Sequence, residues 1–240
     1  MMPAWSLDKR LYGTDQPAQA RTHVTVGPIG FWTEGPQLRH FTFEGMEVLR
    51  AVGLVIRDAW WGSHVLEAQA WNVQASETQW RGELSGAVPG PDGSAALGWQ
   101  LVVQVGQQGL VATARLTPHE DFTTCRAGLM LLHPLVGVVG APVAVTHGNG
   151  NVEEGHFPDL ISPAQPFLDI RELRHAPAPG LRAHWRLSGD TFEMEDQRNW
   201  GDASFKTYNR PLAWPCPYVI EAGSCVEQQV VLTLSREVAA

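Results

Sequence analysis

Residues 183–196 read AHWRLSGDTFEMED, and the fold turns on how this stretch pairs. Gly189-Asp190 is an allowed two-residue hairpin loop. With that loop, Ser188 faces Thr191, Leu187 faces Phe192, Arg186 faces Glu193, Trp185 faces Met194 and His184 faces Glu195. One face is then apolar, and the other carries two charge pairings, Arg186–Glu193 and His184–Glu195. Cross-strand neighbours about 5 Å apart interact appreciably, and a slip of one residue would bury the carboxylates. The register predicts a hairpin over residues 183–196, with Glu193 and Glu195 on the face opposite Phe192 and Met194.

The same period-two pattern recurs along the chain. Residues 48–57 (VLRAVGLVIR) put Val48, Val52, Leu54 and Ile56 on one face, with Arg50 the exception. Residues 110–117 set Leu110, Ala112, Ala114 and Leu116 against Val111, Thr113, Arg115 and Thr117, and residues 226–234 set Val226, Gln228, Val230, Leu232 and Leu234 against Glu227, Gln229, Val231 and Thr233. These are half-buried strands of an antiparallel sheet. Turn sequences such as VPGPDGS (88–94), HGNGN (147–151) and HAPAPG (175–180) separate them, with no composition shift that marks a linker. One short helix is expected over residues 170–175. The expectation is an all-β chain forming a single β-sandwich domain over residues 1–240, with residues 1–22 an irregular N-terminal segment.

Composition narrows the function classes. In 240 residues, 44% are hydrophobic and 18% charged, enough to bury a core. Lys plus Arg number 17 and Asp plus Glu 25, giving 17 − 25 = −8; this argues against a nucleic-acid or anionic-membrane partner. The first residues lack a basic start followed by an apolar core, and residues 127–145, the longest apolar stretch, are broken by His133, Pro134 and Pro142. A cytoplasmic protein is expected, with two buried strands in that stretch. Cys125, Cys216 and Cys225 form no CxxC, so neither a disulfide framework nor a zinc knuckle is indicated. No HExxH, GxSxG, P-loop or GxGxxG occurs, so neither a metal nor a nucleotide cofactor is expected. Association with further copies of the chain stays open.

The chemistry concentrates in residues 190–208, DTFEMEDQRNWGDASFKTY. Glu193 and Glu195, two apart on a strand, project from one side and can share a ligand or a water. Arg198, Asn199, Trp200 and Asp202 follow, and then Ser204, Lys206 and Tyr208 share a face. A carboxylate for general-base work with a cation for a developing oxyanion is what ester or proton-transfer chemistry needs; the bland alternative is a solvated sheet face held by salt bridges. Ten tryptophans (5, 32, 60, 61, 71, 80, 99, 185, 200 and 214) mildly favour a carbohydrate ligand, since indoles stack on sugar rings; filling a wide core is the competing use.

This segment (TFEMEDQRNWGDASFKTY, 191–208), with LISPAQPFLDIREL (160–173), RAGLMLLHPL (126–135) and EVLRAVGLVIRDAWWG (47–62), resembles the N-terminal domain of bacterial D-apionate lactonases. The resemblance runs from about Gln37 to Thr233. Gly201 stands where that family commonly has Thr, and Asn209 where a small residue or Cys is common. The family's enzymes are longer, continuing into a barrel-like domain and a further C-terminal one. The resemblance implies a galactose-mutarotase-like antiparallel β-supersandwich, in which a sugar lies on a concave sheet face between a His and a later Glu; His133 and Glu193 or Glu195 come in that order.

Three readings follow. In the first, the chain opens a sugar lactone, with Glu193 or Glu195 as base and Lys206, Arg198 or His133 at the oxyanion. In the second, it is an aldose mutarotase or epimerase, with a Glu on the anomeric hydroxyl and His133 protonating the ring oxygen. In the third, it binds carbohydrate without chemistry. Glu193, Glu195 and His133 are the expected catalytic residues. Arg198, Asn199, Trp200, Asp202, Lys206, Tyr208, His184 and Arg186 are expected to hold a small sugar or sugar lactone. His133, Glu193, Glu195, Arg198 and Lys206 are expected in one pocket.

Overall fold

A computed structural model describes residues 5–16, 20–66 and 70–236. After a short helix α1 (Leu7–Tyr12), strands β1 (Arg21–Val26), β2 (Ile29–Glu34), β3 (Gln37–Phe43) and β4 (Met46–Ile56) form a meander. A second meander holds β5 (Asn72–Ala75), β6 (Gln79–Pro89), β7 (Ala95–Gly106) and β8 (Gly109–Pro118). Then come β9 (Phe122–Thr124), β10 (Ala127–Pro134), β11 (Pro142–His147), β12 (Val152–His156), β13 (Ile170–Ala178) and β14 (Leu181–Ser188). The described chain closes with β15 (Phe192–Asp196), a 3-10 turn (Gln197–Trp200), β16 (Ser204–Asn209), β17 (Tyr218–Ile220) and β18 (Val226–Arg236). No described helix is long and apolar enough to cross a membrane.

The strands pair in the order β1-β2-β3-β4-β10-β16-β15-β13-β14-β18-β8-β7-β6-β5, with β11 and β12 branching from β13 and a separate β9–β17 pair. Every pairing in the registers is antiparallel, so the all-β, antiparallel expectation stands. The sheet curls until β10 lies across from β18 and β8. Gln228, buried on β18, spans the gap: its Oε1 accepts from Leu129 N at 2.9 Å and its Nε2 donates to Ala127 O at 3.2 Å. That amide stands in an apolar strand face because it satisfies backbone groups of the opposing layer.

The core lies inside the curl, and the expected alternation holds in residues 110–117 and 226–234 but not in 48–57, where Leu49, Ala51 and Gly53 on the other face are buried as well. Val48, Val52, Leu54 and Ile56 are buried, as are Leu110, Ala112, Ala114 and Leu116. Residues 127–145 contain β10 and the start of β11, the two strands expected. The tryptophans divide: Trp80, Trp99 and Trp185 are core, whereas Trp60, Trp61, Trp200 and Trp214 are exposed.

Three expectations fail. Residues 183–196 are not a hairpin: β14 pairs with β13 on one edge and with β18 on the other, so no edge is left for β15. The two-residue loop that docks β14 is Pro179-Gly180, with Ala178 facing Leu181 and Gly180 at φ 68°. After Gly189, β15 instead pairs with β16 and meets β13 only at Ile170↔Phe192. Residues 170–175 are strand, not helix, because residues 172–175 are laddered to β11 on one edge and β14 on the other, with Leu173 and His175 buried on one face and a register shift next to Ile170. Within residues 1–22 a helix forms where irregular chain is expected. Ser6 caps it by accepting from Lys9 N, and Gly13 ends it at φ 74°; residues 1–4 and 17–19 lie outside the described set.

Candidate functional site

Period two sorts β15 and β16 into two faces. Phe192, Met194 and Asp196 point inward, as do Phe205 and Thr207. Glu193 and Glu195 point outward beside Tyr208 and Lys206, their register partners. The two carboxylates therefore lie opposite Phe192 and Met194 as expected, although the neighbouring strand is a different one. Lys206 pairs onward with Leu132, and Tyr208 with Met130, on β10.

Two segments roof this outer face. Arg57, just after β4, donates its backbone N–H to Arg126 O at 2.7 Å, which extends the ladder one step beyond β10. Asp58 then folds the next residues back by accepting from Trp60 N and Gly62 N, both at 2.7 Å. Arg57 Nη1 donates to Trp61 O at 2.9 Å, holding Trp61 at φ 69°, a conformation rare for a bulky residue. On the other side, the 3-10 turn is capped by Asp196 and ended by Gly201 at φ 77°. That turn aims Trp200 so that its Nε1 donates to Glu195 Oε1 at 2.8 Å.

The result is a cleft of about 460 Å³ lined by Arg57, Trp61, Arg126, Glu195, Gln197, Trp200, Lys206 and Leu212. A larger depression of about 850 Å³, at the β6–β8 end, has Arg81 as its only titratable lining residue. A groove of about 640 Å³ beside Val136 and Pro177 is mostly apolar. Size does not decide here: the smaller cleft alone brings a carboxylate and several cations to one wall.

Its electrostatics are distinctive. Lys206 Nζ stands 3.9 Å from Glu195 Oε2 and 5.2 Å from the Tyr208 ring centre. Burial, and then the charges of Arg126 and Arg57, push the Lys206 ammonium down to about 8 against the pull of Glu195 and Asp202. The Arg126 guanidinium lies 3.8 Å from the Tyr208 ring centre and 5.3 Å from that of Trp61. Tyr208 donates its hydroxyl to Glu193 Oε1 at 2.6 Å, and burial together with that bond lifts the phenol well above its ordinary range.

The two carboxylates part company. Glu193 is 1% exposed, and its Oε1 also accepts from Leu212 N at 2.8 Å; it anchors the segment after β16. Glu195 lines the cleft. Trp200, Lys206 and Glu195 thus meet there, with Tyr208 and Glu193 beneath them. Asp202 lies at the edge, accepting from Ser204 Oγ at 3.3 Å and acting on Lys206 through its charge.

Other expected residues lie elsewhere. His133 is not in the pocket, because on β10 it shares the inward face with Leu129 and Leu131. It is fully buried, with Nε2 2.9 Å from Thr207 Oγ1 and its ring edge-on to Trp185 at 5.3 Å. Burial first, and the neighbouring His175, lower its pKa to about 3. Arg198 is occupied in structure: it bonds Asp196 at 2.9 and 2.7 Å and donates to the carbonyls of Pro158, Asp159 and Leu160. Asn199 likewise donates to Ser162 O and Asp196 O. His184 and Arg186 face neither glutamate, since β14 lies beyond β13; His184 Nε2 is 3.0 Å from Glu172 Oε2, and Arg186 is exposed opposite Glu172. Sequence reasoning missed Arg57, Arg126, Trp61, Gln197 and Leu212. The signal available was a charge at the end of each apolar run, Arg57 closing one and Arg126 opening the other. Among the described residues no group of three or more His, Cys, Asp or Glu is placed to hold a metal ion.

Comparison with known proteins bears on the fold and the family. The fold is similar to that of Slr1438 from Synechocystis (TM-score 0.60, 12% identity, 92% of this chain and 97% of that one). It is also similar to a galactose mutarotase-like protein from Clostridium acetobutylicum (TM-score 0.59, 8% identity, 91% and 96%) and a putative aldose 1-epimerase from Escherichia coli (TM-score 0.55, 10% identity, 92% and 100%). At such identities the likeness establishes the fold, a galactose-mutarotase-like curled sheet. In sequence, the chain is 42% identical over 226 residues to a D-apionate lactonase from Brucella anthropi, covering 94% of this chain and 37% of that relative's length. The family profile of the D-apionate lactonase N-terminal domain matches residues 9–237, and the chain belongs to that family.

Proposed function

We propose that the cleft binds a sugar lactone and opens it by hydrolysis, with Glu195 as general base and Lys206 as the electrophile that steadies the oxyanion. The observation that carries this reading is the placement of Glu195 Oε2 3.9 Å from Lys206 Nζ on the wall of the cleft. Glu195 takes a proton from water as its oxygen bonds to the lactone carbonyl carbon, and the charge passes to the carbonyl oxygen beside Lys206. Collapse then breaks the bond to the ring oxygen, which receives the proton from Glu195. A cation aimed at the developing charge in a partly dry site is worth more than it is in water. Trp61 and Trp200 offer faces for the sugar ring. The relative from Brucella anthropi carries the name of a lactonase, which supports the same class of reaction on a small sugar substrate.

The mutarotase reading needs a His and a Glu on one sheet face. His133 faces the core, so that pairing is absent from the cleft. A pH-stat titration of acid released from a panel of sugar lactones, with polarimetry of free aldoses in parallel, separates the readings. Acid release is expected. Mutarotation without acid release overturns the proposal in favour of an epimerase, and sugar binding with neither activity overturns it in favour of a binding domain.

A further inference from the structure

The cleft carries more positive charge than lactone hydrolysis uses. Arg57, Arg126 and Lys206 line it against one lining carboxylate, Glu195, in a chain whose formal net charge is −8. Lys206 and Glu195 are engaged with each other. Arg126 is different. It is 5% exposed, and among the described residues no carboxylate forms an ion pair with it or with Arg57. The Nε of Arg126 and the Nε of Arg57 are both buried without a hydrogen-bond partner.

A guanidinium keeps its charge under burial, so an unpaired one pays desolvation without return. Desolvation, the largest effect, and the charge of Arg57 act against the protonated form of Arg126, and Tyr208 and the Glu195 charge offset them only in part, so that the net shift is downward. The Tyr208 face at 3.8 Å orients the guanidinium plane but supplies no counter-charge. An anion arriving from solvent would complete the arrangement. The planar fork matches a carboxylate or phosphate through paired N–H donors, and the exposed Trp61 and Trp200 on the same cleft suit the sugar that carries it.

We propose that Arg126, backed by Arg57, binds an anionic group of the sugar, a carboxylate or a phosphate ester, separate from the carbonyl that water attacks. The ligand class of this cleft is then the acidic sugars. The inference rests on reading the cleft as a sugar site, and it concerns binding alone.

The test is isothermal titration calorimetry of the chain at low salt with D-glucuronate, galactarate, D-glucose 6-phosphate and D-glucose. At least one anion should bind about tenfold or more tightly than glucose, the scale of a charge-assisted contact. Adding salt should erode that margin, and Arg126→Met should abolish most of it. A carboxylate that binds more tightly than the phosphate, or the reverse, identifies the source of the charge. Should Arg126→Met fail to fold by circular dichroism, Arg57→Met and the salt dependence of the unmodified chain carry the test. Charged and neutral sugars binding alike, no anion binding, or a preference indifferent to salt and to the folded arginine variant overturns the inference. Turnover of neutral lactones without anion preference sinks this inference and leaves the hydrolytic reading intact, while anion preference without acid release does the opposite.

Discussion

Glu193 and Glu195 sit two residues apart on the same face, yet their surroundings give them different work. Glu193 accepts from the Tyr208 hydroxyl and from Leu212 N while almost fully buried. Glu193→Ala strands both donors, and each unmet buried donor costs about 1–3 kcal/mol; a clear fall in melting temperature is expected. Glu195→Ala, at the cleft wall, should leave the melting temperature nearly unchanged. Lys206 gives the pH dependence. Its ammonium is held down to about 8, so it is mainly charged below that pH and loses its proton as pH rises through it. After subtraction of spontaneous lactone hydrolysis, kcat should fall on the alkaline side of about pH 8. Lys206→Arg should remove that falling limb, because a guanidinium stays charged throughout. A limb that persists in the arginine variant would contradict the electrophile role.

At the scale of elements, alternation told which side chains share a face but not which strand lies alongside. Glu193/Glu195 against Phe192/Met194 was legible because period two is a property of one strand. The partner was not, because strand pairing is made by backbone groups along the edges, which side-chain alternation does not mark, and both edges of β14 are taken by β13 and β18. His133 misled for a related reason: residues 127–134 are apolar on both faces, so parity offered no contrast to show which way the imidazole turns. Arg57 and Arg126 lie one residue beyond their strands, where periodicity stops. The crossing from β14 to β15 makes its own prediction. Gly189 has φ 90°, and an added Cβ would collide with Glu227 O on β18. Gly189→Ala should therefore cost more than about 1 kcal/mol in urea unfolding. Gly106→Ala, whose Cβ would enter open space, should cost less than that.

At the scale of the whole molecule, the curled sheet keeps an inner and an outer chemistry apart. Inside, His133 and His175 pack edge-on with ring centres 6.2 Å apart, held neutral by burial at about 3 and about 4. An unfolded imidazole titrates near 6.5, so below that pH the unfolded chain binds protons that the folded one refuses. Stability is full above about pH 6.5 and declines as pH falls toward the folded values, by roughly 2 kcal/mol per ring by pH 5. Urea midpoints at pH 7 and pH 5 should show this loss, and His133→Leu should shrink the difference between them. Outside lies the cleft, with one half-buried carboxylate among cations. The rate of acid release from a sugar lactone by Glu195→Gln tests that division most directly. The substitution keeps shape and hydrogen bonding while removing basicity, so a loss of roughly 10²- to 10⁴-fold is expected with the melting temperature unchanged; acid release at the unmodified rate would contradict it.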